Sequence, residues 1–176
     1  QGQNWQVCAM GFHDRDYNQD SFEPSRGFPA GPRMMVTNLV ILNAAVFLLE
    51  LLLTREGLLP GKKVFWFRDM LAVEPEVLKQ PWLWWKFVTH GFAHDPRGLG
   101  HVFWNMFGLW IFGRDVETIY GRREILRIYV ATVILGGLAW CLREHFFVQS
   151  DGRTILIGAS GAVTAIVLLF VFHYPK

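Results

Sequence analysis

The sequence predicts an all-α fold, a polytopic helix bundle built to sit in a membrane. Three observations predict it. Four apolar runs, residues 34–53, 99–112, 128–142 and 155–174, recur along the 176-residue chain, the first matching the ~20 residues that cross a bilayer. Hydrophobic residues make up 52% and charged ones 18%, thin in charge for a soluble domain. Polar side chains also lie inside the runs: Asn43, His101 and Asn105. Such residues are costly in lipid unless they have partners or a task.

Residues 1–33 mix Asp, Asn, Gly and Pro with no helical or strand period and read as a flexible polar leader. Residues 34–176 then form one membrane domain. In the first run Asn43 is mid-span and is expected to face other helices, while Glu50 lies near the far end. Residues 54–100 are a long connection carrying Phe65, Trp66, Trp82, Trp84 and Trp85 beside Lys and Arg. Bunched aromatics with basic neighbours predict short helices along the membrane interface.

In the second run His101 and Asn105 are four apart and share one helical face, continued by Gly108 and Phe112. Residues 113–127 read as a polar turn. Arg114, Arg122, Arg123 and Arg127 there predict a cytoplasmic location for this turn and for the N-terminus. The third run has Gly136-Gly137 at its middle, which permits a neighbour to approach closely.

The net charge of +2 says nothing useful about nucleic acid, but the chain has no concentrated Lys/Arg stripe of the kind such binding needs, so no nucleic-acid partner is expected. Cys8 and Cys141 are too far apart to indicate a disulfide framework or a zinc site. His90 and His94 are four apart and fit two ligands of a metal if helical, but no third ligand accompanies them. Hydrogen bonds at the base of the long connection are the competing role.

The chemistry-bearing stretch is Gly158-Ala159-Ser160-Gly161, where a polar loop gives way to the fourth run. The first N–H groups of a helix have no partner within it and favour an anion. A serine at such a junction reads as a nucleophile beside its own oxyanion donors. The alternative is packing, since Gly161 and Ala165 are small residues four apart. His101 likewise has two readings, a working side chain or a structural histidine bonded to a carbonyl.

Four motifs in order resemble the rhomboid family of intramembrane serine proteases. Gly158-Ala159-Ser160-Gly161 resembles the GxSG motif, and His101 to Asn105 the HxxxN of the second membrane helix. Gly113 to Glu117 resembles GxxxE, and Trp85-Lys86 the Trp-Arg motif of the first loop. The resemblance implies a rhomboid-like bundle with four of six or more membrane helices present. It implies Ser160 as nucleophile, with His101 and Asn105 holding the oxyanion. Gly158, Gly161, Trp85, Lys86 and Glu117 are implied as substrate-access or structural residues. The implied partners are a transmembrane protein substrate, the lipid bilayer and the remaining C-terminal helices; no cofactor or metal is implied.

Three departures accompany it. Lys86 stands where the family has Arg, and lysine lacks the planar fork. The stretch between His94 and His101 is longer than usual. The family's general base is a His on the sixth helix, and none of the six His residues here matches it. The chain is therefore expected to be a piece of a longer protein, inactive by itself. A dead rhomboid-like protein that binds or escorts membrane clients is the alternative function.

Overall fold

The computed structural model describes residues 34–56, 63–148 and 154–174. The polar leader expected over residues 1–33 lies outside them.

Helix α1, Met35–Leu53, is built from Leu, Val and Ala with Asn43 at its centre. It stops at Thr54, whose N–H and hydroxyl both donate to the Glu50 carbonyl. A two-residue antiparallel pair follows, β1 (Arg55–Glu56) with β2 (Lys63–Val64). The connection continues through α2 (Trp66–Leu71), 3-10 turns at Pro75–Lys79 and Pro81–Leu83, and α3 (Lys86–Thr89). Both 3-10 turns begin on proline, whose fixed φ starts a turn and whose missing N–H is not needed there. The expected short helices are present.

Helix α4 runs Leu99–Tyr120 and α5 runs Arg122–Arg143, with a π-helical turn at Glu144–Val148. This corrects the polar turn expected over residues 113–127. Charged side chains such as Arg114 and Asp115 remain helical on an exposed face, and Glu117 is buried with backbone partners. The break is the single residue Gly121, at φ +88°. That is a left-handed conformation glycine adopts without steric cost.

Helix α6 is Ser160–His173, so the fourth run starts five residues later than expected. Residues before it are extended, because Leu156 exchanges two backbone hydrogen bonds with Val73, at 3.1 and 2.9 Å.

Helix α6 packs against α4 and α5, and α1 against the same two. Their shared core includes Val36, Leu39, Leu109, Val116, Ile125, Val133, Ala162 and Ile166. A second cluster of Val73, Val77, Phe87 and Cys141 seats the long connection against α5. Large apolar side chains point outward: Leu48 and Leu52 of α1, Phe103, Trp104 and Trp110 of α4, Phe172 of α6. Exposed apolar area on this scale suits lipid rather than water.

By length and composition, α1 and the 122–148 helix are able to cross a membrane. Helix α4 has the length but carries Arg114, Asp115 and Glu117. The 14 residues of α6 rise only ~21 Å.

Candidate active site

Ser160 is the first residue of α6, following Ala159 as its N-cap. Its N–H is one of the amides that the helix leaves unpaired. The turn before it is fixed from the long connection: the Gly158 N–H donates to the His90 carbonyl at 2.8 Å. Gly158 has φ +110°, which a side chain would strain.

The α4 side of this turn is closed. A methyl added at Gly158 would meet His101 Cε1 at 2.9 Å, and one at Gly108 would meet Val163 at 3.2 Å. The His101–Asn105–Gly108 face therefore does lie against α6. His101 is exposed, whereas Asn105 is buried and its Nδ2 has no hydrogen-bond partner among the described residues. An orphaned buried amide donor is costly in a fold, so a task for it is reasonable.

Ser160 itself is exposed and lines a cavity of about 260 Å³. Its other walls include His90, Thr132, Gly136 and Trp140, with Gly158, Gly161 and Ala162. A cavity between the second and fourth runs, α4 and α6, is the natural expectation from the motifs. The one Ser160 lines lies between α5 and α6 instead, and its walls are mainly apolar. The cause is the glycine distribution. Gly136 and Gly161 have no neighbour within 4 Å of an added methyl among the described residues, so the α5 side stays open. Packing through Gly161, the alternative reading, finds no contact there among the described residues. No hydrogen bond joins Ser160 to His101 or Asn105 among the described residues.

The first-loop residues act as fasteners. Lys86 is buried and its ammonium reaches the Asp69 carbonyl at 3.4 Å, a single long contact where a guanidinium would make a fork. Trp85 beside it is exposed. His90 packs edge-on to Gly137, where an added methyl would lie 2.7 Å from Nε2. The same nitrogen lies 3.3 Å from the Val133 carbonyl. The His94 N–H donates to both Glu50 carboxylate oxygens, at 3.1 and 3.0 Å. Burial pushes the pKa of each imidazole down to about 4, so both rings are neutral near pH 7.

The two rings point to different partners, His90 to Val133 and His94 to Phe92. No group of three or more His, Cys, Asp or Glu is placed to hold a metal among the described residues. Glu117 lies away from Ser160, accepting the Met35 and Val36 N–H groups at the start of α1, at 2.7 and 2.8 Å. His173, at the far end of α6, sits ~20 Å from Ser160 by helical rise, its Nδ1 3.3 Å from the Tyr120 hydroxyl.

His90 as a wall of the serine cavity is the placement that sequence reasoning missed. Its signal was available: His90 follows Lys86 of the Trp85-Lys86 motif by four residues, and the mid-helix Gly137 already implied a neighbour in close approach.

Comparison with known proteins agrees with these motifs. A family model described as "Rhomboid domain" matches residues 81–176. The chain is 30% identical over 160 residues to "Rhomboid-like protein 16, chloroplastic" of Arabidopsis thaliana, covering 83% of this chain and 46% of that protein. It is 38% identical over 80 residues to "Rhomboid protease GluP" of Bacillus subtilis, 46% of this chain and 14% of that one. It is 23% identical over 174 residues to "Rhomboid protease AarA" of Providencia stuartii, 90% of this chain and 57% of that one. The chain thus spans under two thirds of the length of each. No solved structure matches.

Proposed function

Because the chain belongs to the rhomboid family of membrane proteins, we propose that it is part of an intramembrane serine endopeptidase that cuts transmembrane substrates. The observation that carries this reading is the Ser160 junction. A serine hydroxyl on the first turn of a helix opens into a cavity, beside a helix face bearing His101 and a buried amide donor, Asn105.

In this reading Ser160 attacks the scissile carbonyl after a histidine takes its proton. That histidine lies in the part of the protein that follows residue 176. The Ser160 N–H, Asn105 Nδ2 and His101 donate to the resulting oxyanion, and Gly158 keeps the approach free of side chains. Removing one such donor from a serine protease costs ~2.7–4 kcal/mol of transition-state stabilisation. The open face beside Gly161 and Gly136 admits water and a substrate segment. Trp85 sits at the bilayer interface, Lys86 holds α2, and Glu117 holds α1. The chain crosses the bilayer several times, with its N-terminus and the Gly121 turn on the cytoplasmic side, where Arg114, Arg122, Arg123 and Arg127 gather.

The test uses the complete protein in detergent micelles. A serine-directed fluorophosphonate or isocoumarin is expected to label it and to leave Ser160→Ala unlabelled. Cleavage of a transmembrane substrate is expected to fall to background with the same substitution. Equal labelling of both proteins would remove the protease reading and leave a client-binding role.

A further inference from the structure

A second cavity, of about 340 Å³, opens where α4 passes the start of α1. Met34, Trp110, Ile111, Arg114, Asp115 and Thr118 line it. Residues 110, 111, 114 and 118 follow helical spacing, so one face of α4 presents them, with Asp115 a step further round. None of these residues takes part in the proposed chemistry.

The depth of this cavity in the membrane is marked twice. The apolar run of α1 begins at Met35, and α4 meets its first charged side chains at Arg114 and Asp115. Glu117 accepts the Met35 and Val36 N–H groups and so holds these two boundaries level. The cavity therefore lies where hydrocarbon gives way to headgroups, the depth at which tryptophan concentrates.

Its polar groups are sorted by sign. The Arg114 guanidinium lies over the Trp110 ring, 5.3 Å from the centroid, a contact that leaves its N–H donors free. Asp115 is next along the helix, and consecutive residues do not face each other. Neither side chain has an ion-pair partner among the described residues. The Thr118 hydroxyl donates to the Asp115 carbonyl at 2.6 Å, so its oxygen is left to accept. The wall thus offers donors at Arg114 and acceptors at Asp115 and Thr118. Two opposite charges at the edge of hydrocarbon, each without a partner, favour a ligand that carries both signs.

We propose that this cavity binds the headgroup of a zwitterionic aminophospholipid, phosphatidylethanolamine: Arg114 donates to its phosphate, while Asp115 and Thr118 accept from its primary ammonium. Trp110 and Ile111 lie on the hydrocarbon side, along the start of the acyl chains. A choline headgroup has no N–H to donate, and a glycerol headgroup brings no cation to Asp115. The site therefore selects the ammonium, which an unselective lipid shell does not.

The experiment titrates the complete chain in detergent micelles with phosphatidylethanolamine, phosphatidylcholine and phosphatidylglycerol of matched acyl chains. Native mass spectrometry counts the bound lipid. Phosphatidylethanolamine is expected to bind about threefold or more tightly than phosphatidylcholine, the scale of one exposed ion pair. Asp115→Ala is expected to bring the two level, and Asp115→Lys to favour phosphatidylglycerol. Arg114→Ala is expected to weaken all three. Both side chains are exposed, so the unfolding midpoint should hold in each variant. Should a variant not fold, the parent's ranking of the three lipids decides. Ser160→Ala is expected to bind phosphatidylethanolamine as the parent does, so failure of the protease reading leaves this result intact. Equal binding of phosphatidylethanolamine and phosphatidylcholine by the parent, or a preference that survives Asp115→Ala, overturns the proposal.

Discussion

Glu117 is held by one pair of contacts strong enough to predict from. Its two oxygens accept the Met35 and Val36 N–H groups across more than 80 residues of sequence. They sit at the start of α1, where the helix leaves its amides unpaired and its dipole is positive. Hydrogen bonds to a charged acceptor contribute ~1.5–3 kcal/mol each, and the dipole a further ~0.3–2 kcal/mol. Burying the carboxylate offsets part of this. Arg122, at 4.0 Å and 40% exposed, adds little. In Glu117→Ala the Val36 N–H stays buried with nothing to bond. The expected loss is therefore about 3–5 kcal/mol, the range for breaking a buried charged contact from one side. Glu117→Gln keeps one accepting oxygen but sets an NH₂ against the other N–H, so a loss of about 1–2 kcal/mol is expected. Equilibrium unfolding of the complete protein in mixed micelles measures both. If Glu117→Ala lay within ~0.5 kcal/mol of the parent, the cap would contribute nothing and the reasoning would fail.

Gly158→Ala combines a left-handed backbone with a 2.9 Å contact to His101. Labelling of Ser160 by an isocoumarin is expected to fall at least tenfold while the unfolding midpoint moves by about 1–2 kcal/mol, the cost of that backbone for a non-glycine residue. Unchanged labelling would show that the turn tolerates displacement. Acid should loosen the first loop. The pKa values of His90 and His94 are about 4 when folded and 6.5 when free, so the unfolded chain binds more protons as pH falls. Stability is thus fully present above pH ~6.5 and is lost towards pH ~4, by up to about 3 kcal/mol per ring. Unfolding midpoints between pH 4 and 8 check this; a flat profile would contradict it.

The motifs were legible because the chemistry they imply is local. Ser160 lies where a loop meets a helix, and His101 and Asn105 share a face by spacing alone. Asn43 facing inward followed from the cost of an amide in lipid, and it donates to the Leu39 carbonyl and the Tyr129 hydroxyl. The polar turn misread over residues 113–127 had a different cause. Charge density suggested a loop, yet Glu117 is charged because a distant helix start needs an acceptor. No pattern within α4 carries that information. The cavity's side was equally hidden, since it depends on which glycines stay uncovered, and Gly136 and Gly137 differ in this although they are adjacent.

The position of Ser160 is set by backbone ties to the first loop as well as by the apolar core. Lipid offers helices little hydrophobic reason to associate, so polar ties carry more of the specificity. Val73 holds Leu156 and the His90 carbonyl holds Gly158. The same loop is held in turn by Tyr129, whose hydroxyl donates to the Gly91 carbonyl at 2.9 Å, and by Glu50 on the His94 N–H. Each tie joins a different helix to the loop, α5 through Tyr129 and α1 through Glu50. The loop therefore transmits the placement of α1 and α5 to the first turn of α6. A substitution at Tyr129 or Glu50 should accordingly shift the reactivity of Ser160, although neither residue touches it.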